Sequence, residues 1–262
     1  MWHSFCTFSE GKAYFHIFAQ NQHTHKMIRT LFAPTALLLF LLLLPAGRVS
    51  AQVYSSPNTN PKIVDMLHRS AIVENEDYVK VTGDPYVDKN FQTGTIVFND
   101  STVVNEIPLR LNTYTDNIEF KKNDSILALA NPRIIDHISF GYRNFIFSTY
   151  KEGVFTKQGY FEVLADGNTK LLLHRESIIK REQLPASNYE GGNYRDYFRK
   201  SESYYLKKGD AIAVKISRTK KSILKALGDH TAELEKFIKE NHLRLSKTDA
   251  LIDLIYYYNS LK

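Results

Sequence analysis

Cysteine is almost absent from this chain. Its one cysteine, Cys6, lies ahead of a long apolar run, and residues 52–262 contain none. That absence excludes a disulfide framework, thiolate catalysis and a lipid-bearing N-terminal cysteine for everything after the run. Those roughly 210 residues must be held by an apolar core, and a chain of that length can bury one. Tryptophan is just as scarce, at one residue, and the histidines of the later segment are scattered. His68, His137, His174, His230 and His242 never stand three to five residues apart, and no H-E-x-x-H occurs, so no local metal-ligand spacing exists. A G-x-S-x-G elbow is missing too. Asp136, His137 and Ser139 include the residue types of a hydrolytic triad, but neighbours on one strand alternate faces and do not assemble a triad alone. Glu190-Gly191-Gly192-Asn193 matches no phosphate-cradling pattern and reads as a turn. Paired glycosidase carboxylates leave no local signature, and none of the acids stands out as one of a pair. No catalytic residue, metal site or cofactor is therefore expected.

A long apolar run is present, and only one. Residues 31–46 (LFAPTALLLFLLLLPA) are too few for a comfortable transmembrane helix, which needs about 20 apolar residues, and they contain Pro34. With Arg29 before the run and Val49-Ser50-Ala51 after it, residues 27–51 read as a cleavable signal peptide, leaving Gln52 as the new N-terminus. Met27 stands where a signal peptide of ordinary length would begin, so residues 1–26 read as an over-extended start. An uncleaved anchor is the alternative. Removing residues 1–51, which carry Lys12, Lys26, Arg29 and Arg48 against Glu10, lowers the formal charge from +6 to +3. A charge that small, spread over the whole chain, does not indicate nucleic acid. The expected contact with membrane is transient, through the signal peptide, or peripheral.

Tyrosine and phenylalanine are abundant, at 16 each, and suit pleated surfaces and half-wet interfaces. Residues 52–77 read as a polar lead-in, with a possible short helix over 61–72 capped by Asn60. From Tyr78 onward, short Val/Ile/Thr/Phe/Tyr runs alternate with Asx/Gly turns. Strands are predicted over 93–99, 107–113, 118–121, 125–128, 134–140, 143–149, 154–165, 170–182 and 211–216. Such close spacing implies antiparallel meanders, and Asp166-Gly167 is the strongest hairpin signal. Residues 188–205, with two adjacent glycines and several aromatics among charges, read as a long loop. Three helices follow over 218–262. Thr219, Asp229 and Ser246-x-x-Asp249 are the expected starts, Gly228 is a left-handed stop, and Leu251, Ile252, Leu254, Ile255 and Tyr258 form the last apolar stripe. The fold class is α+β: a curved or partly closed antiparallel sheet over 78–217, followed by a C-terminal three-helix segment packed on the same domain.

An internal motif and three segments of the C-terminal tail then carry a resemblance. Residues 107–120 (IPLRLNTYTDNIEF), together with 220–224 (KKSIL), 237–241 (FIKEN) and 254–261 (LIYYYNSL), resemble a family of uncharacterised secreted proteins of Bacteroidetes-type bacteria. The resemblance implies a Gram-negative envelope location, periplasmic or at the outer-membrane face, and is silent on activity.

The best binding candidates are Tyr189, Tyr194, Arg195, Tyr197, Phe198, Arg199, Tyr204 and Tyr205, because tyrosine mixed with arginine and glycine supplies large contact area at low entropy cost. The cluster Lys215, Arg218, Lys220, Lys221 and Lys225 reads as a solvated face that could meet an anionic surface or a glycan. The function expected is a non-enzymatic envelope protein that binds another envelope protein or a glycan. The alternatives are an envelope enzyme acting on glycan or peptide through dispersed carboxylates or histidines, and a carrier whose curved sheet encloses an apolar ligand.

Overall fold

Strand runs form wherever the alternation of apolar and polar residues is clean, and a computed structural model shows how they pair. It describes residues 78, 80–184 and 194–261, with the backbone of Ala71–Ile72. The expected helix over 61–72 lies outside the described residues except for those last two, which are strand.

The first strands in chain order are β1 (Ala71–Ile72), β2 (Val81–Thr82), β3 (Gln92–Phe98), β4 (Val103–Asn112), β5 (Asn117–Lys122) and β6 (Ser125–Ala128). They are followed by β7 (Ile135–Phe140), β8 (Arg143–Glu152), β9 (Phe155–Ala165), β10 (Thr169–Gln183), β11 (Tyr194–Lys208) and β12 (Ala213–Ile216). Helices α1 (Lys220–Leu227), α2 (Thr231–Glu240) and α3 (Thr248–Ser260) complete the described chain.

All strands belong to one sheet, in the order β1-β6-β5-β4-β3-β7-β8-β12-β11-β10-β9, with β9 also pairing β8. That last ladder closes β8, β12, β11, β10 and β9 into a five-stranded barrel. Most pairs are antiparallel as expected. The β12–β8 and β11–β2 pairs are parallel, so within the expected α+β class the sheet is mixed. Closure brings strands together that are far apart in sequence, so the long connection that parallel pairing requires is already there.

The β8–β9 hairpin serves two cores because strand side chains alternate. Phe145, Phe147 and Tyr160 face a first core with Ile96, Leu109, Ile118, Phe120 and Ile138, under the curved sheet β3–β7. Tyr150, Ile146, Phe161 and Val163 face the barrel interior with Leu172, Tyr205 and Ala213. A small barrel is filled by its own side chains, and this one also contains His174, whose ring lies 5.2 Å from Tyr150 and 5.1 Å from Phe161. The turn after β4 closes against this hairpin. Asp116 accepts from the Tyr160 N–H (3.3 Å) and from His174 Nε2 (3.4 Å). A Cβ on Gly159 would overlap that carboxylate, so only glycine leaves room for it.

A third core lies outside the barrel wall, where Leu171, Leu173, Tyr204, Leu206 and Ile216 meet Leu224, Leu227, Leu234, Leu251, Leu254 and Tyr258 of the helices. Thr219 caps α1 as expected, accepting from the Ser222 N–H, and Gly228 ends it in the left-handed conformation. Two other expected caps are corrected. Asp229 instead accepts a hydrogen bond from the Tyr258 hydroxyl (2.5 Å), so its oxygen is spent on the core, and α2 is preceded by His230. The α3 N-cap is Lys247, without a side-chain cap bond, because the helix starts two residues after Ser246. No helix among the described residues is long and apolar enough to cross a membrane.

The stretch expected to be a loop over 188–205 is also corrected. From Tyr194 onward it is β11, paired residue for residue with β10 from Thr169↔Lys208 to Gln183↔Tyr194. Only the first half of β10 meets β9, at Leu171–Leu173 by register, so the distal hairpin extends beyond the barrel. The segment carrying β2 lies alongside it, and β2 pairs with Asp196 and Tyr197. A buried charge network fastens the same segment to β4–β5. Arg110 donates to Glu119 (2.7 Å) and to the Tyr86 hydroxyl (2.9 Å), with its guanidinium 3.8 Å from the Tyr86 ring centre.

Candidate ligand cleft

β7, β8 and β9 continue past the closed barrel, and α3 is fastened beside them. Between them lies a cleft of about 400 Å³ lined by Asp136, His137, Asn144, Ile146, Val163, Leu164, Asp166, Lys170 and Tyr256. That volume is within the range of small-molecule sites.

Each wall of the cleft follows from local rules. On β7, Ile138 and Phe140 turn into the first core, so His137 and Ser139 take the opposite face by alternation. Ser139 stands directly across from Asn144 and donates to its amide oxygen (2.7 Å). The Asn144 amide nitrogen therefore keeps both of its donors. Ile146 and Val163 form an apolar floor shared with the barrel core.

The far wall is set by Asn259. Its side-chain amide accepts from the Thr169 N–H (2.9 Å) and donates to the Thr169 carbonyl (2.8 Å), as a neighbouring strand would. A Cβ on Gly167, which has φ +141°, would strike the same amide, so the hairpin turn and α3 are fitted to each other through a glycine. Tyr256 lies three residues before Asn259 and therefore on the same side of α3, which puts it at the cleft with its ring half exposed (52%).

The electrostatics of the cleft are mixed. His137 Nδ1 lies 2.7 Å from the Asp136 carboxylate. Asp166 is bonded to Lys170, and that ammonium, aided by the Gly167 N–H and by His137, holds its carboxyl below the usual range against the opposing effect of burial. A carboxyl pushed down in this way is a hydrogen-bond acceptor at neutral pH and is poorly suited to general-acid work. Among the described residues, no group of three or more histidine, cysteine or acidic side chains could hold a metal ion.

The described residues among those expected to bind do not lie at this cleft; they are spread along β11, with Arg195 6.0 Å from the Tyr197 ring centre. Strand alternation and the length of β11 disperse them. Tyr194 is exposed (61%) at the far end of the hairpin, Arg195 pairs with Glu182 (2.6 Å), and Tyr197 lies beside Thr82 of β2. Arg199 stands exposed, opposite Ile178. Phe198 is packed edge-on against Tyr78 and Tyr114, with ring centres 5.5 and 5.7 Å away. Tyr204 and Tyr205 are buried, the first in the helix-facing core and the second in the barrel. Tyr189 lies outside the described residues. Deleting 188–203 would therefore remove most of a paired strand rather than a loop, and it cannot serve as a silent test of binding.

Sequence reasoning noticed Asp136 and His137 only as an unusable triad, and it missed Asn144, Lys170 and Tyr256. The one local hint was the Asp166-Gly167 turn, and nothing in it pointed to β7. No family model, curated protein or solved structure matches the chain.

Proposed function

We propose that this is an exported envelope protein that binds a saccharide-type ligand in the Asp136–Tyr256 cleft without chemically altering it. One observation carries the reading: carboxylate acceptors, amide and ammonium donors and a half-exposed tyrosine ring converge over an apolar floor. A sugar presents the same combination, hydroxyls around its rim and an apolar C–H face that lies on an aromatic ring. The apolar run over 31–46 and the family resemblance support export. An enzyme reading has less support, because Asp166 is held ionised by Lys170. A carrier of apolar ligands has less still, because side chains fill the barrel.

The test is retention of residues 52–262 on a glycan array, with Tyr256→Ala and Asp136→Asn alongside. Binding of a defined set of glycans by the wild type, lost in both variants with the fold intact, supports the reading. Empty arrays, or retention unchanged in both variants, would overturn it. A second reading, capture of an envelope protein at the hairpin end, is favoured by the exposed Tyr194 beside Arg195. Cross-linking and co-purification from an envelope extract, with Tyr194→Ser as the variant, would test it.

A further inference from the structure

At the end of the barrel away from the cleft, β8 turns into β9 through Gly153 and Val154. The tip is unusually apolar for a solvent-facing turn. Val154 is 92% exposed and Phe155 68%, and both are large side chains that a hairpin could replace with polar residues at no cost to the core. They are not isolated. β12 runs parallel to β8 with Val214 opposite Lys151, which brings the exposed Val214 to the same end.

The charges around this tip are predominantly positive. Lys151 and Lys215 have no ion-pair partner among the described residues, and Lys157 pairs with Glu152 (2.5 Å) across the turn. Because β12 and β8 point the same way, the chain leaving β12 carries Arg218, Lys220 and Lys221 out at this end too, where Lys220 is matched by Glu235 (2.8 Å). Of these six cations, Lys157 and Lys220 are paired, and the other four, Lys151, Lys215, Arg218 and Lys221, have no ion pair among the described residues; Glu176 is a further acid close enough to act on Lys157.

We propose that this end of the barrel docks on an anionic lipid bilayer, with Val154 and Phe155 entering the headgroup region and the lysines meeting the lipid phosphates. A protruding apolar pair inside a basic rim is what an interfacial anchor requires. Burial of the apolar tip and attraction of the cations act together, and neither alone would hold the protein. A protein partner would need a broad complementary surface, whereas a narrow tip ringed by flexible lysines suits a fluid one. The proposal is independent of the sugar-binding cleft, which lies beyond the opposite end of β8.

The test is co-sedimentation of residues 52–262 with phosphatidylcholine vesicles, with and without phosphatidylglycerol. Binding is expected only with the anionic lipid and should weaken as salt rises. Val154→Ser/Phe155→Ser and, separately, Lys151→Glu/Lys215→Glu should each reduce partitioning by about tenfold or more, with unchanged circular dichroism. Tyr256→Ala should sediment like the wild type, which separates failure of this proposal from failure of the cleft reading. Equal binding to both vesicle types, no binding to either, or full binding by the tip variant would overturn the proposal. So would capture of a protein that depends on the tip in the absence of vesicle binding.

Discussion

At Gly159 one methyl group decides whether Asp116 can reach the β8–β9 hairpin. The carboxylate occupies the space a side chain would need, accepts from the Tyr160 N–H and faces His174. Gly159→Ala is expected to cost about 1–3 kcal/mol, as overpacking of a filled site does. Adding Asp116→Ala should return part of that loss, and a double-mutant cycle in urea measures the coupling. Arg110 poses a different problem, since its charge is buried beside Glu119. Glu119→Ala leaves that guanidinium without its counter-charge, and a loss of about 3–5 kcal/mol is expected by chemical denaturation. Glu119→Gln, which keeps the hydrogen-bonding shape, should cost less. Neither residue is marked in the sequence. Gly159 sits inside an ordinary strand pattern, and Glu119 sits in the polar phase of β5, because the partner that buries each comes from another part of the chain.

At the level of elements, most strands and all three helices were legible, and the long hairpin was not. β3 to β10 alternate because one face of each looks into a core, and that alternation is the signal a sequence carries. The distal half of β11 has no core beneath it. Its charges and aromatics follow no period of two, and pairing with β10 and β2 makes it a strand. Within it, alternation gives neighbouring side chains opposite roles. Phe198→Ala should destabilise by about 2 kcal/mol, since it removes a half-buried ring from the cluster with Tyr78 and Tyr114. Tyr194→Ala, at an exposed position, should stay within about 0.5 kcal/mol. Thermal melts of the two variants side by side check the contrast, and equal losses would mean that the whole hairpin end is packed. The helix caps follow the same logic. Thr219 caps as its sequence context suggests, while Asp229 is diverted by Tyr258, a residue that reaches it only through tertiary packing.

For the molecule as a whole, closing the barrel buries tyrosines that an open sheet would leave wet. Burial raises Tyr150 and Tyr205 to about 12, with smaller contributions from nearby carboxylates and, for Tyr205, from Tyr150 ahead of them, and burial and Glu119 do the same for Tyr86. An unfolded chain ionises its tyrosines near 10. The stability that comes from keeping these three neutral is therefore complete below pH 10 and is lost as the pH rises toward 12. Tyrosinate absorbance followed together with circular dichroism should show some tyrosines ionising only as the fold is lost, and titration of all of them near pH 10 in an intact fold would contradict this. The sequence by itself determined the α+β class, the strand runs, the helical tail and the lack of cysteine in residues 52–262, because periodicity, turn residues and composition are local properties. Only the tertiary structure decided that β9 returns to β8, that the tyrosines of 194–205 are split among a hairpin end and two cores, and that Asp136, Asp166 and Tyr256 share one cleft. The physical reason is the same in each case: these arrangements rest on contacts between residues far apart in the chain, and no local pattern encodes which of several compatible strands or faces will meet.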